Sequence, residues 1–61
     1  MKLKELYEVL SQELKELSFV YANNVDFCLG YLSDDSIRAH HGDHKVIDIY
    51  LDYNGDLCIL I

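Results

Sequence analysis

The chain has 61 residues and a net charge of −6, with eleven acidic side chains against five Lys and Arg. This charge argues against nucleic acid as a direct ligand, because an evenly spread negative surface repels a phosphate backbone. A core this small yields only about 3 to 5 kcal/mol, so self-association is expected to stabilise the fold. No linker, repeat or low-complexity tract interrupts the sequence, which predicts a single domain over residues 1–61.

The two cysteines and the N-terminal segment bear on the cellular compartment of the protein. The opening MKLKELYEVL carries glutamates where a signal peptide needs an apolar run, so we expect a cytoplasmic protein. Cys28 and Cys58 are then expected to be reduced thiols that act as small hydrophobic residues in strands. No apolar run reaches the length that spans a bilayer, and no membrane partner is predicted.

The first predicted element is an amphipathic helix. Apolar side chains recur at helical spacing, with Lys, Glu and Gln on the opposite side. The apolar stripe consists of Leu3, Leu6, Tyr7, Leu10, Leu14 and Leu17. The sequence leaves two possible positions for the C-terminal end of this helix. The β-favouring run Phe19-Val20-Tyr21 favours an end near residue 17, whereas continuation of the apolar stripe through that run favours an end near residue 22.

A period of two begins at Val25 and predicts the first strand. Val25, Phe27, Leu29 and Tyr31 alternate with the residues between them, so these four are predicted to share one face. SDDS, residues 33–36, is typical of a turn, and residues 37–41 are predicted as a short strand or an irregular segment.

The segment HHGDH, residues 40–44, contains all three histidines of the chain. Zinc needs three or four convergent ligands, and a helical His-x-x-x-His pair would supply two of them. Gly42 interrupts that spacing and the flanks have strand character, so we predict a solvated hairpin loop without a metal or any other cofactor. The alternatives are a metal site and a pH sensor, since histidine titrates near neutrality.

The last two predicted strands form a closing hairpin around Asn54-Gly55, with Lys45 to Asp52 before the turn and Asp56 to Ile61 after it. A two-residue loop would pair Leu51 with Cys58, whereas a three-residue loop, Tyr53 to Gly55, would pair Leu51 with Leu57. The longer loop is favoured because it gathers one apolar face. That face consists of Ile47, Ile49, Leu51, Leu57, Ile59 and Ile61.

The predicted fold class is α+β, with one N-terminal amphipathic helix packed on a three- to four-stranded antiparallel sheet. The final strand carries no lysine, proline or polar tail to blunt its edge. An open apolar edge is a template for pairing with another chain. We therefore expect a homodimer or higher homo-oligomer in which the terminal strand, or the sheet face turned away from the helix, meets a second copy, with Cys58, Leu60 and Ile61 at the interface. The alternative is a monomer in which another strand or the helix covers this edge.

An acidic surface is the predicted partner-binding site. Asp48 and Asp52 flank Tyr50 on one face of a strand, so an aromatic anchor lies between carboxylates, as expected of a contact with a basic protein. Asp34 and Asp35 in the SDDS turn belong to the same prediction. The competing interpretation of Asp48, Tyr50 and Asp52 is a solvated outer face with no partner.

Catalysis is not predicted, and no catalytic residue is assigned. Asp48 and Asp52 would lie about 13 Å apart on one strand, whereas glycosidase-type carboxylate pairs stand about 5 to 9.5 Å apart. The serines have no recognisable base partner, and no glycine-rich phosphate loop is present. DYNGD begins like a calcium loop but places Leu57 where that loop requires glycine.

The layout of the chain resembles small uncharacterised proteins of phages and prophages of Gram-positive bacteria. The resemblance lies in the helix MKLKELYEVL, the strand with Gly30-Tyr31 and the hairpin VIDIYLDYNGDLCILI, which together cover most of the chain. It implies an acidic intracellular protein of a mobile element. Anti-defence proteins, anti-CRISPRs among them, are frequently of this size and charge, and they occupy a basic nucleic-acid or assembly surface on a host protein.

We therefore expect a non-enzymatic inhibitor of a host defence factor that acts by protein–protein contact. The first alternative is a homo-oligomeric module that sequesters a signalling nucleotide, with Arg38 and Lys45 gathered from several copies. The second is an immunity protein or antitoxin, which would use its acidity in the same way against a different target.

Overall fold

A computed structural model describes residues 1–25 and 27–61, and these residues form helices and a four-stranded sheet. The elements in chain order are α1 (Leu3–Val9), α2 (Gln12–Leu17), β1 (Phe19–Tyr21), β2 (Cys28–Tyr31), α3 (Asp35–His41), β3 (Asp48–Leu51) and β4 (Leu57–Leu60). The predicted α+β class is confirmed. Asp26, which the alternation assigned to the first strand, lies outside the described residues.

The sheet has the strand order β2-β1-β4-β3, and its pairing is mixed. β1 runs parallel to β4, while the β1–β2 and β3–β4 pairs are antiparallel. The prediction of a purely antiparallel sheet is wrong on this point. The predicted open edge of the last strand is also wrong, because β4 is an interior strand between β1 and β3. The sheet edges are β2 and β3.

The predicted single helix is two helices separated at Leu10 and Ser11. Leu10 has an extended backbone, and the Ser11 hydroxyl accepts a hydrogen bond from the Leu14 amide at 3.2 Å, so it caps the N-terminus of α2. Of the two predicted ends, the one near residue 17 is confirmed, because Phe19–Tyr21 forms β1. The break also turns Leu14 and Leu17 out of the predicted core face, and both are exposed.

α1 and α3 lie on one side of the sheet, which we call the inner face. Val20 of β1 and Ile59 of β4 are register partners on that face, and both are fully buried. The buried core cluster consists of Leu3, Leu6, Val20, Leu32, Ile37, Ile59 and Ile61. Burial of each such side chain contributes about 1.5 to 3 kcal/mol before the entropy cost of ordering the chain is subtracted, so these contacts are the main favourable term in the stability of the fold.

The closing hairpin has the predicted three-residue loop. Leu51 pairs with Leu57 and Ile49 with Ile59. Gly55 adopts the left-handed backbone, with φ of +82°, and the Asp52 carboxylate accepts from the Asn54 and Asp56 amides at 2.9 Å. One part of the prediction is wrong: Ile47, Ile49 and Leu51 are exposed, because β3 is an edge strand and the core cluster does not extend over it.

β2 is shorter than predicted and contains a bulge. Tyr21 pairs with Cys28 and Val20 with Gly30, so Leu29 is an extra residue in the ladder. The bulge breaks the predicted alternation and places Cys28 on the same face as Tyr31, which pairs with Phe19.

Residues 35–41 form α3, so the prediction of a strand or irregular segment there is wrong. Asp34 is the N-cap residue, Asp35 lies in the first turn, and Arg38, His40 and His41 lie in the last. Negative charge at the start and positive charge at the end of a helix both favour its dipole. In this short helix only Ile37 is buried, which left little apolar periodicity to indicate it.

Candidate functional site: the outer face of the sheet

The histidine-rich segment, residues 40–44, ends α3 and turns towards β3, so the prediction of a loop between two strands is wrong. Its backbone is tied to the start of α1: the Leu3 amide donates to the His44 carbonyl at 2.9 Å and the Lys4 amide to the Gly42 carbonyl at 3.0 Å. The rings of His41 and His44 meet edge to face at 4.9 Å. The segment is a structural junction between α1, α3 and β3.

A salt bridge adds to this junction. The Lys4 ammonium lies 2.8 Å from the Asp43 carboxylate. The hydrogen bond and charge of Lys4 hold the pKa of Asp43 below its usual value, with a smaller contribution from Lys2, and the same pair raises the pKa of Lys4. Within the described part of the chain, no group of three His, Cys, Asp or Glu side chains is arranged to hold a metal ion.

The side of the sheet opposite α1 and α3 carries the candidate site. The strand registers place eight side chains there in two rows, each crossing all four strands. We call these eight residues the outer face: Tyr31, Phe19, Cys58 and Tyr50 in the first row, and Cys28, Tyr21, Leu60 and Asp48 in the second.

Half of the outer face is aromatic. The Phe19 and Tyr31 rings pack with centroids 4.8 Å apart. Tyr31 and Tyr50, at the two ends of the first row, are each 43% exposed. Tyrosine offers a large apolar ring with a polar hydroxyl, and it is enriched in the energetically important centres of protein interfaces.

Cys58 lies between the aromatic residues Phe19 and Tyr50 in the first row and is only 2% exposed. Burial raises the pKa of this thiol, and the carboxylates of Asp52 and Asp56 raise it further. Burial likewise raises the pKa of Tyr21, with Cys28 and Cys58 the next contributors. The centre of the face is therefore partly desolvated and stays neutral near pH 7.

The rim of the outer face at the β3 edge is negative. Asp48 is exposed in the second row, and Asp52 follows β3. All five cations of the chain belong to other regions. Lys2 and Lys4 contact Asp43, and Lys15 and Arg38 lie over the Tyr7 ring. Lys45 precedes β3, where its backbone pairs with that of Lys2. The outer face thus combines aromatic rings with carboxylates and carries no cation.

The predicted partner-binding residues fall into two separate groups. Asp48 and Tyr50 belong to the outer face, and Asp52 lies beside it, where its carboxylate also orders the hairpin loop. Asp34 and Asp35 begin α3, next to β2 at the other edge of the sheet. Their carboxylates bond to the Tyr31 amide and to Arg38.

The residues predicted at an oligomer interface are also divided. Cys58 and Leu60 belong to the outer face, whereas Ile61 is buried in the core on the inner side. Sequence reasoning missed Phe19, Tyr21 and Tyr31 as members of a site. The strand character of Phe19–Tyr21 was visible, but its position beside β4 depends on a pairing between distant segments.

The described residues enclose no pocket. No helix in residues 1–25 and 27–61 combines the length and apolarity needed to cross a membrane. The chain matches no protein-family model, no curated protein and no solved structure.

Proposed function

We propose that this chain is a non-enzymatic binding protein and that the outer face is its contact surface. The observation that carries the proposal is the exposure of tyrosines beside carboxylates on a sheet face that α1 and α3 leave uncovered. Tyrosine side chains supply contact area with little loss of conformational entropy, and carboxylates at the rim select a basic partner.

The partner is a protein with a basic surface. Opposite charges increase the rate of encounter and disfavour acidic competitors, whereas the aromatic rings provide most of the affinity. The resemblance to phage proteins adds the biological setting. We propose that the chain acts in the cytoplasm of a host cell and inhibits a defence factor, as an anti-CRISPR does, by covering that basic surface.

The alternative of a nucleotide-sequestering module is less well supported. Its phosphate-binding cations would be Arg38 and Lys45. The Arg38 guanidinium already pairs with Asp35, donates to the Leu32 carbonyl at 3.0 Å and lies over the Tyr7 ring. An immunity protein or antitoxin would use the outer face in the same way, and it differs from the main proposal only in its target.

We further propose that the chain is a homodimer. A core of this size gains stability from a second copy. The contact is not the edge of β4, because β4 is already paired on both sides.

The function is tested in bacteria that carry an active CRISPR–Cas system and are challenged with a targeted plasmid. Expression of the chain is expected to restore transformation. The variant Tyr50→Ala is expected to weaken binding to the purified effector about thirtyfold, equivalent to ~2 kcal/mol for an interface anchor. Binding is measured by calorimetry.

The role of the carboxylates is tested with one pair of charge changes, and a second pair on the helices is the matched control. Asp48→Asn with Asp52→Asn removes two charges beside Tyr50 and keeps one acceptor oxygen on each side chain. Glu8→Gln with Glu13→Gln removes two charges from exposed positions on α1 and α2. Only the first pair is expected to slow association and reduce its salt dependence. Equal effects of the two pairs, or no interaction with any purified defence effector, would contradict the proposal.

A further inference from the structure

β3 is the edge of the sheet with the largest concentration of exposed apolar side chains. Eleven large hydrophobic side chains are exposed in the described residues, and five of them lie within residues 47–53. Ile49 and Leu51 point to the inner face but lie beyond the core cluster, and they are 43% and 68% exposed. An apolar patch on an edge strand marks a site for another strand.

The backbone of β3 is available for that pairing. The Asp52 amide donates to the Asp56 carbonyl at 3.0 Å, which directs the even-numbered residues of β3 towards β4. Just before β3, the Ile47 amide also donates to β4, at the Leu60 carbonyl 2.7 Å away. The backbone groups of Ile49 and Leu51 therefore point away from the sheet. The Ile49 amide instead donates to the Asp48 side chain at 2.8 Å.

We propose that this edge pairs with β3 of a second copy, antiparallel and about a twofold axis. This inference rests on the proposed homodimer and specifies its contact. Residues directly opposite each other in an antiparallel pair must lie on the same face of the sheet. A symmetric pairing must therefore be centred on a residue, and the middle of β3 offers Ile49 or Tyr50.

Repulsion between like charges disfavours the register centred on Tyr50 and favours the one centred on Ile49. Centred on Tyr50, the pairing places Asp48 opposite Asp52 of the second copy, and like charges directly opposite each other are destabilising. Centred on Ile49, it places Asp48 opposite Tyr50 of the second copy, whose hydroxyl can donate to the carboxylate. The Ile49 register also joins the two Ile49 side chains at the axis and transfers each Ile49 amide from Asp48 to a backbone carbonyl.

The size of this contact sets its strength. A standard interface takes about 800 Å² from each partner, close to a fifth of the 4132 Å² that the chain exposes. The area that four paired residues and their apolar neighbours can bury is smaller than that. The dimer therefore belongs to the weak class of interfaces and dissociates on dilution. Its assembly would extend the sheet to eight strands and bring two outer faces side by side.

The dimer contact and the contact with a basic partner are expected to respond to salt in opposite directions. Two copies that each carry a charge of −6 repel one another, and the Debye length falls from about 10 Å at 0.1 M salt to about 3 Å at 1 M. Added salt therefore strengthens the dimer, whereas it weakens the contact between the acidic rim and a basic protein.

The test is sedimentation equilibrium of the wild-type chain and three variants at low and high salt. Ile49→Lys places two ammonium groups at the axis, and Leu51→Lys changes a more exposed position on the same edge. The control Leu17→Lys lies on α2, which contacts the opposite edge strand. Both β3 variants are expected to raise the dimer dissociation constant at least about tenfold, whereas the control leaves it unchanged. Far-UV circular dichroism and urea midpoints establish that each variant is folded.

Each outcome decides the proposal. A wild-type mass of 7.1 kDa at every protein concentration and salt level would overturn both the homodimer and its edge. A dimer that survives both lysines on β3 would overturn the edge contact alone. Partner binding is measured separately on the purified effector, so failure of the proposed target leaves this result intact.

Discussion

Gly42 ends α3 at a position where a methyl group does not fit. Its backbone angles, φ of −58° and ψ of −30°, are ordinary for any residue. A Cβ atom would lie 2.5 Å from the Arg38 carbonyl oxygen, well inside the 3.0 Å that real Cβ atoms keep, and 3.5 Å from the Lys4 Cβ. The clash is with backbone, so α3 or the start of α1 must move.

Two effects of Gly42→Ala have opposite signs. Where the backbone is compatible, replacing glycine by alanine stabilises by about 0.4 to 1 kcal/mol through the unfolded state. Overpacking a filled site costs about 1 to 3 kcal/mol. We expect the clash to prevail, because movement would strain the hydrogen bond from the Lys4 amide to the Gly42 carbonyl. A net loss of about 2 kcal/mol lowers the melting temperature of so small a domain by about 8 to 16 °C.

The assay is thermal unfolding followed by circular dichroism, with Gly55→Asn as the control. Gly55 has φ of +82° and no atom within 4 Å of an added Cβ, so a side chain there meets backbone strain but no clash. Asparagine adopts this backbone more readily than other side chains. The control is expected to lose about 1 kcal/mol through backbone strain alone, less than Gly42→Ala. An unchanged or higher melting temperature for Gly42→Ala would refute the packing of the junction.

Three further predictions concern the histidine-rich segment and the thiols. EDTA should leave the melting temperature unchanged, whereas a drop of about 10 °C or more would indicate a structural metal coupled to folding. Because the pKa of Asp43 is lowered in the folded state, its contribution is present above the unfolded value near 3.8 and is lost as pH falls below it. Asp43→Asn should therefore reduce the acid dependence of urea unfolding, and an unchanged dependence would contradict the Lys4 contact. A neutral thiol reagent at pH 8 should label Cys28 before Cys58, since burial and nearby carboxylates raise the pKa of Cys58. Equal labelling rates of the two cysteines in the folded protein would show that Cys58 is not shielded.

The sequence predicted those features that depend on neighbouring residues. The hairpin register followed from Asn54-Gly55 and from the sorting of apolar side chains on either side of it. The helical character of the N-terminal segment followed from its leucine spacing, and the α+β class followed from the change of period. These signals are local, so no knowledge of distant contacts was needed.

The errors concern competing local signals and long-range pairing. Ser11 acts as an N-cap inside a continuous leucine pattern, and that cap overrides the periodicity. α3 carries one buried apolar residue, too few to define a helical face. The parallel pairing of β1 with β4 joins segments separated by most of the chain. Asp48 and Tyr50 could therefore be assigned to a surface, but its neighbours Phe19 and Tyr31 could not.

The distribution of aromatic residues is the strongest argument that the outer face has a function. The chain has five tyrosines and two phenylalanines, yet every fully buried member of the core cluster is aliphatic. Aromatic rings bury the largest area per residue, and a core worth about 3 to 5 kcal/mol has most to gain from them. Four of the seven rings instead lie on the outer face, where they stabilise the fold less than they would in the core. Such a placement is typical of a surface selected for contact with another molecule at some cost in stability. Binding and stability are therefore expected to be separable, because loss of the Tyr50 ring removes the proposed binding anchor and no member of the aliphatic core cluster.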